Sequence, residues 1–242
     1  MNLIIDVGNT ATKLAVFQLD KIKEVQTVST VDLVFETEKL LKKFPEINQG
    51  LLSAVKTVSD FEIKTLQKLV PITILDSTFP MPFNNCYDTP LTLGVDRLAL
   101  MASAVHQFPK RNVLVIDAGS CITYDFMDAH HNYLGGAISP GIQMRYKSFE
   151  AFTSNLPLLP KTIPSHHIGS STEASIHSGV INGVLKEIEG TIQVYQNKYP
   201  DLTVILTGGD ADFLCKQFKI SIFANSNFLL EGLNFLLEFN SN

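Results

Sequence analysis

Two aspartates, each followed at the second position by a glycine, mark the segments of this chain best suited to bind phosphate. Residues 3–12 read LIIDVGNTAT and residues 114–123 read LVIDAGSCIT, so Asp6 and Asp117 hold matching places in the two segments. A glycine directly after a strand lets the backbone approach a ligand closely. We expect the two aspartates to face one another across the two halves of the chain. Paired carboxylates beside phosphates are most simply explained by a cation that offsets the combined negative charge.

The loop after Asp6 carries further groups that can hold the β- and γ-phosphates of a nucleotide. Asn9, Thr10 and Thr12 offer short hydrogen-bond donors, and Lys13 offers a mobile cation. The sequence contains no G-x-x-x-x-G-K-[ST] segment, so this is not a Walker P-loop. For one motif alone, an aspartate that merely forms a turn is an equally good interpretation. The two motifs together favour phosphate binding.

A second polar group is Tyr87 with the segment Gly94-Val95-Asp96-Arg97. Asp96 could orient or deprotonate a hydroxyl group, and Arg97 could bind a carboxylate through two parallel hydrogen bonds. Such a pair suits a substrate with a hydroxyl at one end and an acid at the other. Taken alone, the segment is better explained as a helix start, in which Asp96 complements the helix dipole and Arg97 is a surface residue.

An internal sequence repeat indicates the scaffold that positions these residues. The two D-x-G segments match at one offset of 111 residues (117 − 6). The matched pairs are Asp6 and Asp117, Gly8 and Gly119, Asn9 and Ser120, and Thr12 and Thr123. Each copy is typical of strand, turn and strand, because apolar runs rich in branched residues are interrupted by glycine. Two copies about half a chain apart favour a duplicated domain over coincidence.

The remaining segments alternate between strand and helix patterns, which predicts the α/β class. Strands are predicted at GLLSAV, ITIL and TVILTGG, and helices at DLVFETEKLLKKF, FEIKTLQKLV, LALMASAV, from about Ile142, over 171–198 and at NFLLEGLNFLLEF. In the long helix, apolar residues recur every four positions from Ile176 to Ile192. Its start, Ser170 to Glu173, fits a capping box. We place the join between the halves near residues 106–112.

Composition and charge limit the class of protein. Hydrophobic residues make up 45% of the 242 residues and charged residues 18%, as in a globular protein with a buried core. The net charge of −5, without a Lys/Arg block, argues against a nucleic-acid or membrane partner. Cys86, Cys121 and Cys215 lack C-x-x-C spacing and suit a reducing compartment. The N-terminal apolar run stops at Asp6, too early for a signal peptide, and no stretch could span a membrane, so we expect a cytoplasmic protein.

Six segments together resemble type III pantothenate kinase, within the acetate and sugar kinase, chaperone ATPase and actin superfamily. They are LIIDVGNTATKLAVF, LGVDRLALMASA, VIDAGSCITYDF, GGAISPGI, GSSTEASIHSG and VILTGGDA. The D-x-G-N-T motif alone is shared across much of the superfamily, and its combination with G-x-D-R and D-A-G-[TS] is more restrictive. The resemblance implies duplicated ribonuclease H-like (actin-like ATPase) domains with mixed sheets flanked by helices, over residues 1–110 and 111–242.

The activity that the resemblance implies is the ATP-dependent phosphorylation of (R)-pantothenate to 4'-phosphopantothenate, the first step of coenzyme A biosynthesis. It implies Mg²⁺ and a monovalent cation, K⁺ or NH₄⁺, with Asp117 as the ligand of the monovalent cation. The residues that match ATP-binding positions are Asp6, Val7, Gly8, Asn9, Thr10, Ala11, Thr12, Lys13 and Ser120. In a looser match, Gly208 and Gly209 pack the adenosine.

For the acceptor, the resemblance makes Asp96 the catalytic residue that takes the proton of the pantothenate hydroxyl. Substrate-pocket positions match Tyr87, Gly94, Val95, Asp96, Arg97 and Thr172. Thr172 matches a threonine that reaches into the neighbouring subunit, which implies a homodimer with sites at the interface. One departure is Ser120-Cys121, where the family more often has threonine and then a small residue. Serine keeps the hydroxyl, so we expect activity.

Three other interpretations stay open. A kinase of the same superfamily could act on a sugar or another small hydroxy acid, although the short chain and the GVDR segment count against it. A nucleotide-binding regulator without turnover would have no need of Asp96. An actin-like filament former would require longer insertions than 242 residues comfortably hold.

Overall fold

The computed structural model describes residues 1–241, and contacts within the chain divide it into two compact units. Unit 1 comprises Met1–Pro109, His131–Leu134 and the residues from Asn227 on, and unit 2 comprises Lys110–His130 and Gly135–Ser226. The sequence-based boundary between residues 110 and 111 assigned the last helix to the second half. The units group that helix with the first half, and the boundary stays a prediction.

The strands and helices follow the predicted alternation. In residues 1–241 the strands are β1 (Asn2–Val7), β2 (Thr12–Gln18), β3 (Lys21–Val28), β4 (Gln49–Ala54), β5 (Ile72–Ile74), β6 (Asn84–Asn85), β7 (Val113–Ala118), β8 (Cys121–Met127), β9 (Asn132–Pro140), β10 (Thr203–Thr207) and β11 (Phe223–Ala224). The α-helices are α1 (Leu33–Lys43), α2 (Asp60–Leu69), α3 (Val95–Gln107), α4 (Ile142–Phe152), α5 (Thr172–His177), α6 (Gly183–Lys198), α7 (Ala211–Cys215) and α8 (Phe228–Phe239). None of these helices is long and apolar enough to cross a membrane.

Unit 1 is built on a mixed five-stranded sheet with the order β3-β2-β1-β4-β5. Its central strand β1 pairs antiparallel with β2 and parallel with β4. One face of β1 packs through Leu3 and Ile5 against α1 and α2, and the other packs through Ile4 against α3 and α8. Because both faces are covered, β1 is a continuous apolar run with all of its residues buried.

Unit 2 repeats this topology, which confirms the duplicated α/β fold. Its strands lie in the order β9-β8-β7-β10-β11, with β7 antiparallel to β8 and parallel to β10. The equivalent strands of unit 1 pair in the same directions. The core of unit 2 lies between β7 and β8 and the buried residues of α6, such as Val184 and Ile188.

The predicted long helix over 171–198 is interrupted in its first half. A π-helical segment, Ser178–Asn182, separates α5 from α6. The buried residues recur every four positions, and an α-helix turns every 3.6 residues, so a wider π turn helps keep them on one side. The predicted capping box from Ser170 to Glu173 is wrong. The N-cap is Ser171, whose side chain accepts a hydrogen bond from the Ala174 amide.

Candidate active site

The first hairpin presents its turn to solvent directly after Asp6. The turn over residues 8–11 is closed by a hydrogen bond from the Gly8 amide to the Ala11 carbonyl oxygen, at 3.0 Å. Asn9 and Thr10 at its tip are exposed. An exposed turn of short polar residues, which starts at the end of a buried strand, is a suitable place for a phosphate group.

Thr12 is placed differently from its neighbours in the turn. Its side chain is fully buried, and its Oγ1 lies 2.9 Å from the Oγ1 of Thr30 in a hydrogen bond. The hydroxyl could contact a phosphate only by sharing or giving up this bond. The ATP contact of Thr12 therefore stays a prediction, and the buried hydroxyl makes a contact through the side chain less favourable than one through the backbone.

Asp6 lies in a cluster of three predicted site residues. Asp6 is only 6% exposed, and Lys13 is its cross-strand partner on β2. Burial raises the pKa of Asp6 to about 6, the Lys13 ammonium opposes this rise, and the Asp96 carboxylate adds to it. The fold thus brings Lys13 and Asp96 within electrostatic reach of Asp6, although Asp6 and Asp96 are distant in sequence.

The start of α3 shapes the environment of Asp96. Gly94 is the N-cap residue, and the Oδ1 of Asp96 accepts a hydrogen bond from the Arg97 amide at 2.8 Å. A side chain at position 94 would clash with this Oδ1. Glycine at this position therefore leaves room for the carboxylate over the first turn, where the positive end of the helix dipole stabilises its charge. Val95 between them is half-buried.

Arg97 is buried, which corrects the interpretation of it as a surface residue. It is 5% exposed, and its guanidinium carbon lies 5.4 Å from the ring centre of Tyr87. That ring stacks on Tyr133, with centres 6.1 Å apart and planes inclined by 4°. A guanidinium this close to an aromatic ring is attracted to the ring face, which helps to hold Arg97 in position for a carboxylate.

Tyr133, which was not among the predicted site residues, is fully buried and stacks on Tyr87. It reaches this place because β6 pairs with the first residues of β9, where Asn85 is the partner of Tyr133. A two-residue strand has no periodicity, so no local pattern could have indicated this pairing.

The second hairpin has a tighter turn, formed by Gly119 and Ser120. The Gly119 amide donates to the Cys121 carbonyl oxygen at 2.8 Å, and Ser120 is exposed. Asp117 lies opposite Thr123 on β8. The Oγ1 of Thr123 is buried and has no hydrogen-bond partner within residues 1–241. A buried oxygen normally has a partner, so this atom and the nearby carboxylate fit a bound cation or water.

The two hairpins differ in register by one residue, so the sequence match between the two D-x-G segments does not hold along the whole hairpin. Asp6 pairs with Lys13, seven positions on, whereas Asp117 pairs with Thr123, six positions on. The match of Thr12 with Thr123 therefore fails in the structure, where Thr123 corresponds to Lys13. The cause is turn length, because four residues (8–11) lie between the paired Val7 and Thr12, and only three (119–121) lie between the paired Ala118 and Ile122.

Gly208 packs directly against the end of β7. Its φ is +93°, and a side chain there would clash with the Oδ1 of Asp117 and the carbonyl oxygen of Ala118. Only glycine satisfies both constraints. A Cβ at Gly209 would meet nothing within 4 Å, so this position leaves space. Gly208 therefore holds the backbone after β10 against the predicted cation ligand.

Thr172 belongs to unit 2, and the Asp96 segment belongs to unit 1. Thr172 is the first residue of α5 and is exposed. It lines a cavity of about 730 Å³ together with Ser170, Ser171 and Ile176. In residues 1–241 no cluster of three or more His, Cys, Asp or Glu residues could hold a metal on its own. Magnesium is often held by one or two carboxylates together with substrate phosphates, so the aspartates present fit that mode.

The chain is similar in sequence to one protein family and similar in fold to several solved structures. A family model described as type III pantothenate kinase matches residues 2–194. The chain is 54% identical to a type III pantothenate kinase of Christiangramia forsetii over 242 residues, with 99% of each chain covered. In fold it is similar to a Baf family protein from Campylobacter jejuni (TM-score 0.68, 22% identity, 99% of each chain). It is also similar in fold to a glucokinase from an Antarctic psychrotroph (TM-score 0.52, 12% identity, 98% of each chain).

Proposed function

This chain belongs to the type III pantothenate kinase family, and we propose that it transfers the γ-phosphoryl group of ATP to the primary hydroxyl of (R)-pantothenate. The product is 4'-phosphopantothenate, and the reaction is the first step of coenzyme A biosynthesis. The observation that carries this proposal is the grouping of Asp6, Lys13 and Asp96 in unit 1. It supports a phosphate site and a proton acceptor within reach of each other.

Phosphoryl transfer asks the protein mainly to position the reactants and to compensate charge. In our proposal the ATP phosphates lie on the exposed turn after Asp6, with Lys13 as a cation beside them and Ser120 as a hydroxyl contact. Asp96 accepts a hydrogen bond from the attacking hydroxyl and takes its proton late in the transfer. The Arg97 amide, which donates to Asp96, holds the carboxylate in place for this step.

Cations complete the proposed site. Magnesium and a monovalent cation, K⁺ or NH₄⁺, supply positive charge that neutralises the phosphates. Asp6 and Asp117 would hold them, and the unpartnered Oγ1 of Thr123, opposite Asp117, supports a cation near that carboxylate.

The test of this function is ADP release measured with a coupled assay on the purified protein. We expect release that requires pantothenate and increases on addition of K⁺ to a Mg²⁺-containing buffer in which the only monovalent cations are large organic ones. Release with a sugar or another hydroxy acid in place of pantothenate would reassign the acceptor. ATP binding without turnover on any acceptor would instead indicate a regulator.

Arg97→Ala should mainly weaken the binding of pantothenate. The guanidinium is the buried cation in the substrate segment, and loss of a charge-assisted pair to a carboxylate costs about 2–3 kcal/mol, or roughly 30- to 150-fold in KM for pantothenate. The KM for ATP should change less than about threefold. Arg111→Ala, at an exposed arginine, is the matched control. An unchanged KM for pantothenate in Arg97→Ala would exclude this role.

We further propose a homodimer in which Thr172 contributes to the partner's pocket. The support is that Thr172 is an exposed residue at the edge of a cavity in unit 2. Light scattering should give twice the mass of 26.8 kDa, and a monomer mass in the active enzyme would contradict the shared pocket.

A further inference from the structure

The segment Ser139-Pro140-Gly141 packs directly against the turn Gly119–Ser120. The Gly141 amide donates to the Ser120 carbonyl oxygen at 3.1 Å. A side chain at position 141 would clash with the carbonyl oxygens of both Gly119 and Ser120. Because the two backbones are in van der Waals contact, a shift of residues 139–141 must displace the turn.

Arg145, one turn into α4, fastens this segment. Its Nε donates to the Pro140 carbonyl oxygen at 2.9 Å, and its Nη2 donates to the Ser139 Oγ at 3.0 Å. The same Nη2 contacts the Oε2 of Glu187 at 2.5 Å. The rigid planar guanidinium thereby fixes two consecutive residues of the segment relative to α6.

Glu187 connects Arg145 to β8, the strand that follows the turn Gly119–Ser120. Its Oε1 accepts a hydrogen bond from the Tyr124 hydroxyl at 2.8 Å, and Tyr124 lies on β8, the strand that leaves the turn. Burial alone would raise the pKa of Glu187, but hydrogen bonds from Arg145, Tyr124 and Ser139 outweigh it and lower the pKa. The carboxylate is therefore ionised at neutral pH.

The pair is also partly shielded from solvent. The side chains of Arg145 and Glu187 are 22% and 29% exposed, so their attraction is less screened than that of a surface pair. Shielding and the three-way geometry distinguish this pair from Lys186–Glu189 on the same helix, where the lysine side chain is 71% exposed.

We propose that Arg145 and Glu187 are positioning residues for the turn Gly119–Ser120, which set the affinity for ATP without contacting it. This inference rests on the proposed function, in which Ser120 contacts ATP. Arg145 holds residues 139–141, Glu187 holds Arg145 and Tyr124, and the turn is enclosed between the segment and the strand that they fix.

Conservative variants should separate positioning from general stability. Lysine at 145 keeps the charge beside Glu187 but cannot donate to three oxygens in one plane. We expect Arg145→Lys to raise the Kd and KM for MgATP about five- to twentyfold, with the KM for pantothenate within about twofold of wild type. Glu187→Gln should change the same constants in the same direction, because it removes the charge that holds Arg145.

The experiment measures the Kd for MgATP by calorimetry, KM for both substrates, and the melting temperature. The variants are Arg145→Lys, Glu187→Gln and the control Glu189→Gln, which removes the exposed pair on α6 and should leave the constants unchanged. If Arg145→Lys does not fold, Glu187→Gln decides alone.

A loss confined to ATP, at melting temperatures close to that of wild type, supports the proposal. Unchanged ATP affinity in both variants would overturn it, and so would equal losses for both substrates together with a lower melting temperature. If wild type binds MgATP but does not phosphorylate pantothenate, the proposed function fails. The calorimetric comparison of the variants still decides the positioning role in that case.

Discussion

Asp96→Asn should lower kcat by roughly two to four orders of magnitude while leaving the Kd for ATP within a fewfold of wild type. The asparagine oxygen can still accept the hydrogen bond from the Arg97 amide, so the start of α3 keeps its geometry. Only the charge and the basicity are lost. Because the defect is in proton acceptance, it should reach kcat and kcat/KM equally rather than appear as a higher KM.

The control for this variant is Asp88→Asn, an exposed aspartate in the loop after Tyr87, which should retain full activity. A second readout uses the coupling of Asp96 to Asp6. The charge of Asp96 raises the pKa of Asp6, so its removal should move the acid limb of ATP affinity to lower pH. Substantial activity in Asp96→Asn would show that another group accepts the proton.

Asp6→Asn should produce an enzyme that is more stable at pH 8 and at least about a hundredfold less active. The rise of the pKa of Asp6 from its ordinary value of 3.8 to about 6 reflects a cost of burying the ionised carboxylate of about 3 kcal/mol. Asparagine removes that cost. It also removes a negative charge that the proposed cation and Lys13 require.

The sign of the pH dependence follows from linkage. A raised pKa means that the folded protein binds the proton more tightly, so the stability from this group is complete below about pH 4 and is lost as pH rises through about 6. The difference in melting temperature between Asp6→Asn and wild type should therefore be larger at pH 8 than at pH 5. Asp20→Asn, with a side chain 75% exposed, is the control. A variant less stable than wild type at pH 8 would contradict the burial cost.

Local patterns in the sequence were sufficient for the main elements of the fold. The D-x-G hairpins, the α/β alternation and the helix that begins after Gly94 were predicted because each depends on residues close in the chain. The duplication was also visible, since both halves keep the same apolar run before the turn. The predicted helix cap at Ser170 was wrong by one residue, which is the usual limit of boundary prediction.

The register of the hairpins could not be predicted from the repeated D-x-G segments. The sequence match made Thr12 equivalent to Thr123. The second turn is shorter, which shifts β8 by one position, so that Thr123 is equivalent to Lys13 instead. A shift of one residue reverses the face that a side chain occupies, so register decides which residues reach the site.

By itself, the sequence determined which residue types are available for chemistry and which strands and helices carry them, because those properties are local. The tertiary structure alone decided the electrostatic grouping of Asp6 with Asp96, the burial of Arg97 and the stack of Tyr87 on Tyr133. It also decided the placement of α8 in unit 1 and the contacts of Arg145 with Glu187. Each joins residues far apart in the chain, and the packing of elements that brings them together leaves no periodic trace in the sequence.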